Sequence, residues 1–105
     1  MSERMITQVE TFDQVNPWAA KLEVLDIRPV TGEGNLRAYV TVKLGRTLIV
    51  YGCRIVKEPG KRAWVSFPQV RNNDRWYAVV RSEDPRLREA LTAAVLAAWD
   101  REGAT

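Results

Sequence analysis

Residues 36–44 alternate strictly between apolar and other side chains, and this pattern limits the fold more than any other feature of the chain. One side of an extended backbone there would hold Leu36, Ala38, Val40, Val42 and Leu44. The opposite side would hold Arg37, Tyr39, Thr41 and Lys43. Successive side chains of a strand point to opposite faces, so the pattern predicts a β-strand with one buried face.

Other segments of the chain also have the character of strands. They are residues 22–27, 47–57, 62–67 and 75–81. Turn-forming residues separate them: a loop at 31–35, a two-residue hairpin at Gly45-Arg46, a turn at Pro59-Gly60 and a polar loop at 69–74.

The strand at 47–57 is apolar on both faces. Strict alternation places Leu48, Val50 and Val56 on one face and Ile49, Tyr51, Cys53 and Ile55 on the other. Such a strand is expected to be central in its sheet and covered on both sides.

After residue 84 the apolar period becomes helical. Asp84 is a predicted N-cap for a helix that begins at Pro85, and Gly103 is its predicted end. The apolar face would consist of Leu87, Leu91, Val95 and Trp99, with Ala94 and Ala98 beside them. The predicted fold class is therefore α+β, a curved antiparallel sheet of about five strands with one C-terminal helix.

One helix can cover one face of that sheet, so the second face needs another cover. We expect a second copy of the chain to provide it, which predicts a homodimer; docking at exposed sheet edges is the alternative.

The length of 105 residues predicts a single domain. We divide it into an N-terminal extension, residues 1–20, in which 6–12 could form a short strand, and an α+β domain, residues 21–105. The lone cysteine, Cys53, lies in an apolar run and is predicted to be a core residue. No segment has the length and apolar character of a membrane span or a secretory signal, so we expect a cytoplasmic protein with no membrane partner.

The charge is unevenly distributed along the chain. Residues 28–81 hold eleven Lys or Arg against three acids, whereas residues 1–27 have a net charge of −3 and residues 82–105 one of −2. Arginine outnumbers lysine twelve to four. A positive sheet rich in arginine is the arrangement expected of a surface that contacts phosphate, and a solubilised outer face is the alternative interpretation.

Four blocks of the chain have a distinctive order and spacing: residues 48–56 (LIVYGCRIV), 64–68 (WVSFP) and 94–99 (AVLAAW), together with 25–28 (LDIR). Taken together, these blocks resemble the SpoVG family of nucleic-acid-binding proteins. The resemblance covers residues 21–102. It implies a dimer that binds DNA, and in some members RNA, to regulate gene expression and septation.

The resemblance also points to individual residues. Arg54, Arg71 and Arg88 match basic positions of the family. The chain departs from the family in having no histidine, in having Tyr77-Ala78 where the family has an arginine-aspartate pair, in a shorter loop at 69–75 and in its N-terminal extension.

The residues themselves suggest further contacts. The loop at 71–75 places arginine at both ends of two asparagines and an aspartate. Arg37 and Lys43 are predicted to share a face with Tyr39, which could stack on an unpaired base. Acidic neighbours weaken the case for the helix, so sheet and loop contacts are favoured. The predicted nucleic-acid-binding residues are Arg54, Arg71, Arg75, Arg88, Arg37, Lys43 and Tyr39.

Enzymatic chemistry has little support in the sequence. Without histidine there is no Ser-His or Cys-His nucleophile and no imidazole metal ligand, and none of the three serines lies in a Gly-x-Ser-x-Gly motif. We therefore expect no enzyme activity, cofactor, metal or small-molecule substrate. The alternative to nucleic-acid binding is a protein-interaction module whose basic sheet docks an acidic partner.

Overall fold

A computed structural model describes residues 16–32 and 34–102. The strands are β1 (Leu22–Pro29), β2 (Leu36–Leu44), β3 (Leu48–Val56), β4 (Trp64–Ser66), β5 (Gln69–Asn72) and β6 (Arg75–Ala78), and the α-helix is α1 (Pro85–Arg101). A 3-10 turn, Ala19–Lys21, precedes β1. The predicted strand at 6–12 and the predicted helix end at Gly103 lie outside the described residues.

The predicted α+β class is confirmed, but the strands do not form one sheet. Strands β1 to β4 make an antiparallel sheet in chain order, while β5 and β6 pair separately as a two-stranded ribbon. Strand β2 has the predicted bounds and buries Ala38, Val40 and Val42. The connection to β3 has three residues, 45–47, and not two; Gly45 begins it with the positive φ, 64°, that glycine adopts most easily.

The core lies between helix α1 and one face of the four-stranded sheet. Its largest fully buried side chains are Ile55, Leu91, Val40, Val65, Val95 and Cys53. Of the predicted helix face, Leu91, Val95 and Ala98 are buried, and Leu87, Ala94 and Trp99 are half-buried. Ala90 is also buried, although the period of four did not include it. We call the sheet face toward α1 the inner face and the opposite one the outer face.

The predicted division of β3 into two faces is wrong, because the strand contains a bulge. Val40 pairs with Cys53 but Val42 pairs with Val50, so β3 has one more residue than β2 between these pairs. The bulge includes Gly52, whose φ is 86°. It brings Cys53 and Ile55 to the same inner face as Val50 and leaves Ile49 and Tyr51 on the outer face.

The start of helix α1 is held by two interactions that the chain makes at long range. Asp84 caps the helix as predicted, since its Oδ1 accepts a hydrogen bond from the Arg86 backbone N–H at 3.0 Å. Its Oδ2 accepts one from Trp18 Nε1 at 3.0 Å, and Asn16 Nδ2 donates to the Arg86 carbonyl at 2.9 Å. The last residues of the predicted extension therefore contact the helix.

Candidate nucleic-acid interface

The predicted polar loop at 69–74 is instead the first strand and the turn of the β5–β6 ribbon. Asn73 and Asp74 form the turn with φ values of 54° and 64°. Two central residues with positive φ are typical of a tight hairpin turn, and Asn and Asp tolerate this conformation better than other non-glycine residues. Arg71 Nη2 lies 3.1 Å from Asp74 Oδ1 across the turn. The ribbon therefore presents its turn and both flanking arginines together.

The ribbon has two faces, because side chains alternate along each strand. The pairs Gln69–Ala78 and Arg71–Trp76 share one face. The pairs Val70–Tyr77 and Asn72–Arg75 share the other. All eight residues are exposed. The Arg75 guanidinium lies 5.8 Å from the centre of the Tyr77 ring, so this second face combines a cation with an aromatic ring.

Arg54 of β3 joins the ribbon to the sheet. Its Nη2 donates a 2.8 Å hydrogen bond to Gln69 Oε1, and its guanidinium lies 5.0 Å from the centre of the Trp76 ring. Its Nε is buried and has no hydrogen-bond partner among the residues that the structure describes. Arg54 thus fixes the position of the ribbon, and the face with Arg75 and Tyr77 is turned away from this contact.

Tyr39 belongs to the outer face of the sheet. The strand register places it between Arg28 of β1 and Arg54 of β3. It lines a groove with Leu25, Ile49 and Tyr51, all of which are exposed. The outer face therefore combines an apolar patch with two arginines.

The other three predicted residues, Arg37, Lys43 and Arg88, line three different grooves. Lys43 stands opposite Glu23 and Ile49 and lines a groove with Lys21 and Arg46. Arg88 lines a cleft of about 620 Å³ between the start of α1 and the base of the ribbon. The prediction that Arg37 shares a face with Tyr39 is wrong: the register shifts between Leu36 and Ala38, and Arg37 lines a groove beside α1.

Arg54, Arg71 and Arg75 thus all lie on or against the ribbon, but Arg71 is on the face that Arg54 contacts and Arg75 is on the opposite face. Sequence analysis missed Gln69, which contacts Arg54, and Arg28, which stands opposite Tyr39. The Asn73-Asp74 dipeptide was the available sign of a hairpin. Nothing in the sequence indicated that Arg54 would reach Gln69 and Trp76.

Other chemistry is sparse in the part of the chain that the structure describes. No group of three or more acidic or cysteine side chains in it could hold a metal ion. Burial raises the pKa of the Cys53 thiol to about 11, so this cysteine stays protonated near neutral pH. No helix in 16–32 or 34–102 is long and apolar enough to cross a membrane.

A protein-family model described as SpoVG matches residues 21–101. The match includes the four-stranded sheet, the ribbon and the whole of helix α1. No curated protein matches the chain.

Proposed function

The chain belongs to the SpoVG family, and we propose that it is a dimeric, cytoplasmic regulator of gene expression or septation that binds DNA or RNA. The observation that supports this most is the exposed β5–β6 ribbon with arginines on both sides of its turn. The proposal contains no catalytic step, and the SpoVG family is not known as an enzyme family.

The shape of the ribbon suits a nucleic-acid groove. A two-stranded ribbon fits the major groove of B-DNA, where arginine can bind guanine edges or phosphates with two hydrogen bonds. Among the described residues no carboxylate lies within 4.0 Å of Arg75, so none of them competes with an anion for its guanidinium. Arg71 would have to exchange Asp74 for a phosphate. Arg75 is therefore the main proposed contact.

The exposed apolar residues on the outer face of the sheet support the proposal of a dimer. Ile49 and Tyr51 are 41% and 71% exposed, although they lie near the middle of the sheet. Contiguous apolar surface of this kind marks an interaction site. A second copy related by a twofold axis would cover it with the same patch and would present two ribbons to one nucleic acid.

The nucleic-acid role is tested by titrating the protein with labelled duplex DNA, single-stranded DNA and RNA at two salt concentrations. Affinity should fall as salt rises, because binding releases counterions. Arg75→Ala should weaken binding and reduce the salt slope by about 1, as expected for the loss of one phosphate contact. Arg46→Ala is the matched control, since Arg46 is exposed on the β2–β3 connection.

One result would contradict the proposed nucleic-acid binding, and another would contradict only the ribbon as its interface. No binding to any nucleic acid at low salt would overturn it and favour the acidic protein partner. Equal binding by the Arg75 and Arg46 variants would retain the function but remove the ribbon as its interface.

The dimer is tested by light scattering at micromolar concentration. The unaltered protein should have twice the chain mass of 12.0 kDa. Tyr51→Glu should give the mass of one chain, because it places a charge in the proposed apolar interface. Thr47→Glu makes the same charge change on the exposed connection and should remain dimeric. A monomeric unaltered protein would refute the dimer.

A further inference from the structure

A groove of about 600 Å³ opens beside helix α1, on the inner side of the sheet. Arg37, Lys57 and Arg62 contribute three cations to its lining, and the helix contributes Leu96, Trp99 and Asp100. Its volume is within the range of sites that hold small molecules or parts of larger ones. It lies away from the outer face that we assign to the dimer, so both surfaces can be used at once.

Among the residues that the structure describes, the three cations of this groove have no acidic partner. No carboxylate of the described residues is within 4.0 Å of any of them. Lys57 Nζ donates to the Lys61 carbonyl at 2.9 Å, and Arg37 Nη2 makes a long contact of 3.5 Å with the Lys57 carbonyl. These contacts satisfy donors but do not neutralise charge. With Asp100 on the same lining, three positive charges against one negative leave the groove with a net charge of +2, and this field attracts an anion.

The floor of the groove is apolar and aromatic. Trp99 is half-buried: it packs partly against the core, and the rest of it lines the groove beside Leu96. An aromatic side chain among cations is the arrangement that binds single-stranded nucleic acid, where the ring stacks on a base and the cations follow the backbone. Paired bases of a duplex are not free to stack in this way, and an acidic peptide offers charge without a flat ring.

We infer that this groove binds one unpaired nucleotide of a DNA or RNA strand. The base lies against Trp99, and Arg37 and Arg62 bind the adjacent phosphates with their planar forks of donors. Asp100 can accept a hydrogen bond from an exocyclic amino group, as carboxylates do from cytosine N4, so cytosine is favoured over thymine. This inference rests on the proposed function and adds to it a preference for a single-stranded segment.

The test measures binding of labelled decadeoxycytidylate, decathymidylate and a blunt duplex, together with ¹H–¹⁵N spectra of the tryptophan indoles. Decadeoxycytidylate should shift the Trp99 indole signal, which is identified with Trp99→Phe. Arg62→Ala should weaken decadeoxycytidylate about tenfold, a loss of about 1.4 kcal/mol, and leave duplex affinity unchanged. Arg46→Ala should change neither. Decathymidylate should bind more weakly than decadeoxycytidylate, and Asp100→Asn should reduce that difference.

Each contrary outcome is distinct. If nucleic acids bind but the Trp99 signal stays in place and Arg62→Ala binds normally, the groove assignment is wrong and the proposed function stands. If no nucleic acid binds, both are wrong. If cytidine monophosphate or polyglutamate shifts Trp99 while oligonucleotides do not, the groove serves a free nucleotide or an acidic chain, and the inference is overturned.

Discussion

Ile55 and Ile49 belong to the same strand, yet they have opposite environments. Ile55 is completely buried on the inner face, whereas Ile49 is 41% exposed on the outer face. The two residues are equally apolar, so hydrophobicity does not explain the difference. The helix covers one face of β3, and the bulge at Gly52 decides which residues of the strand's second half reach that face. Whether a residue of this strand is buried therefore depends on which face of the sheet its side chain occupies, and not on how apolar it is.

The largest expected effect comes from truncating these two isoleucines. Ile55→Ala should reduce the free energy of unfolding by about 2–5 kcal/mol, because it removes buried methyl groups and leaves a cavity. Ile49→Ala should reduce it clearly less at protein concentrations too low for the proposed dimer to form. Chemical denaturation at several protein concentrations measures both. Equal losses at the lowest concentration would show that the two faces are equally buried within one chain.

A smaller effect is expected where the helix that covers the inner face begins. Hydrogen bonds from Arg86 and Trp18 hold the pKa of Asp84 well below its ordinary value of 3.8. A depressed pKa in the folded state means that ionised Asp84 stabilises the fold above pH 3.8 and that this contribution is lost as the pH falls below it.

Asp84→Asn should therefore be less stable than the unaltered protein at pH 7, and the difference should shrink as the pH falls from 5 toward 2. Thermal unfolding across this range measures it. Glu83→Gln is the control, since Glu83 is exposed and pairs with Arg81 at 2.9 Å. A stability difference that does not vary with pH would mean that the Asp84 charge has no role in holding the helix.

The smallest effect concerns the β5–β6 ribbon, whose strand residues are all exposed. Arg54→Lys should retain the charge but lose the planar contact with Trp76 and the geometry of the Gln69 hydrogen bond. A cation–π contact of this kind is worth about 0.5–1 kcal/mol. Amide hydrogen exchange should accelerate in β5 and β6 and remain unchanged in β2. Uniform acceleration would instead indicate that Arg54 stabilises the whole domain; Arg46→Lys should have no effect.

Strand β2 and helix α1 could be predicted from the sequence because their apolar periods are unbroken. Residues 36–44 alternate without exception, and Asp84-Pro85 marks the helix start. Strand β5 could not be found in this way, because all four of its residues are exposed and no buried face imposes an alternation.

The candidate site depended on contacts between distant segments. Arg71 and Arg75 were found as neighbours of a turn, but the role of Arg54 followed from its distance to Gln69 and Trp76 in the folded chain. The position of Arg37 changed because a bulge in β2 moved it away from the Tyr39 groove. Bulges add one residue to a strand without a distinctive pattern in the sequence, so they shift predicted faces without warning.

Gly52 has a consequence for any exchange of segments between this chain and its relatives. Its φ of 86° strongly favours glycine, and a Cβ added there would lie 3.7 Å from the Pro68 side chain, which is ordinary contact. Backbone conformation therefore restricts this position more than space does. In β3, even-numbered residues before Gly52 point to the inner face, and odd-numbered residues do so after it. A chimera joined inside β3 keeps its core only if donor and recipient place this change of parity at the same residue.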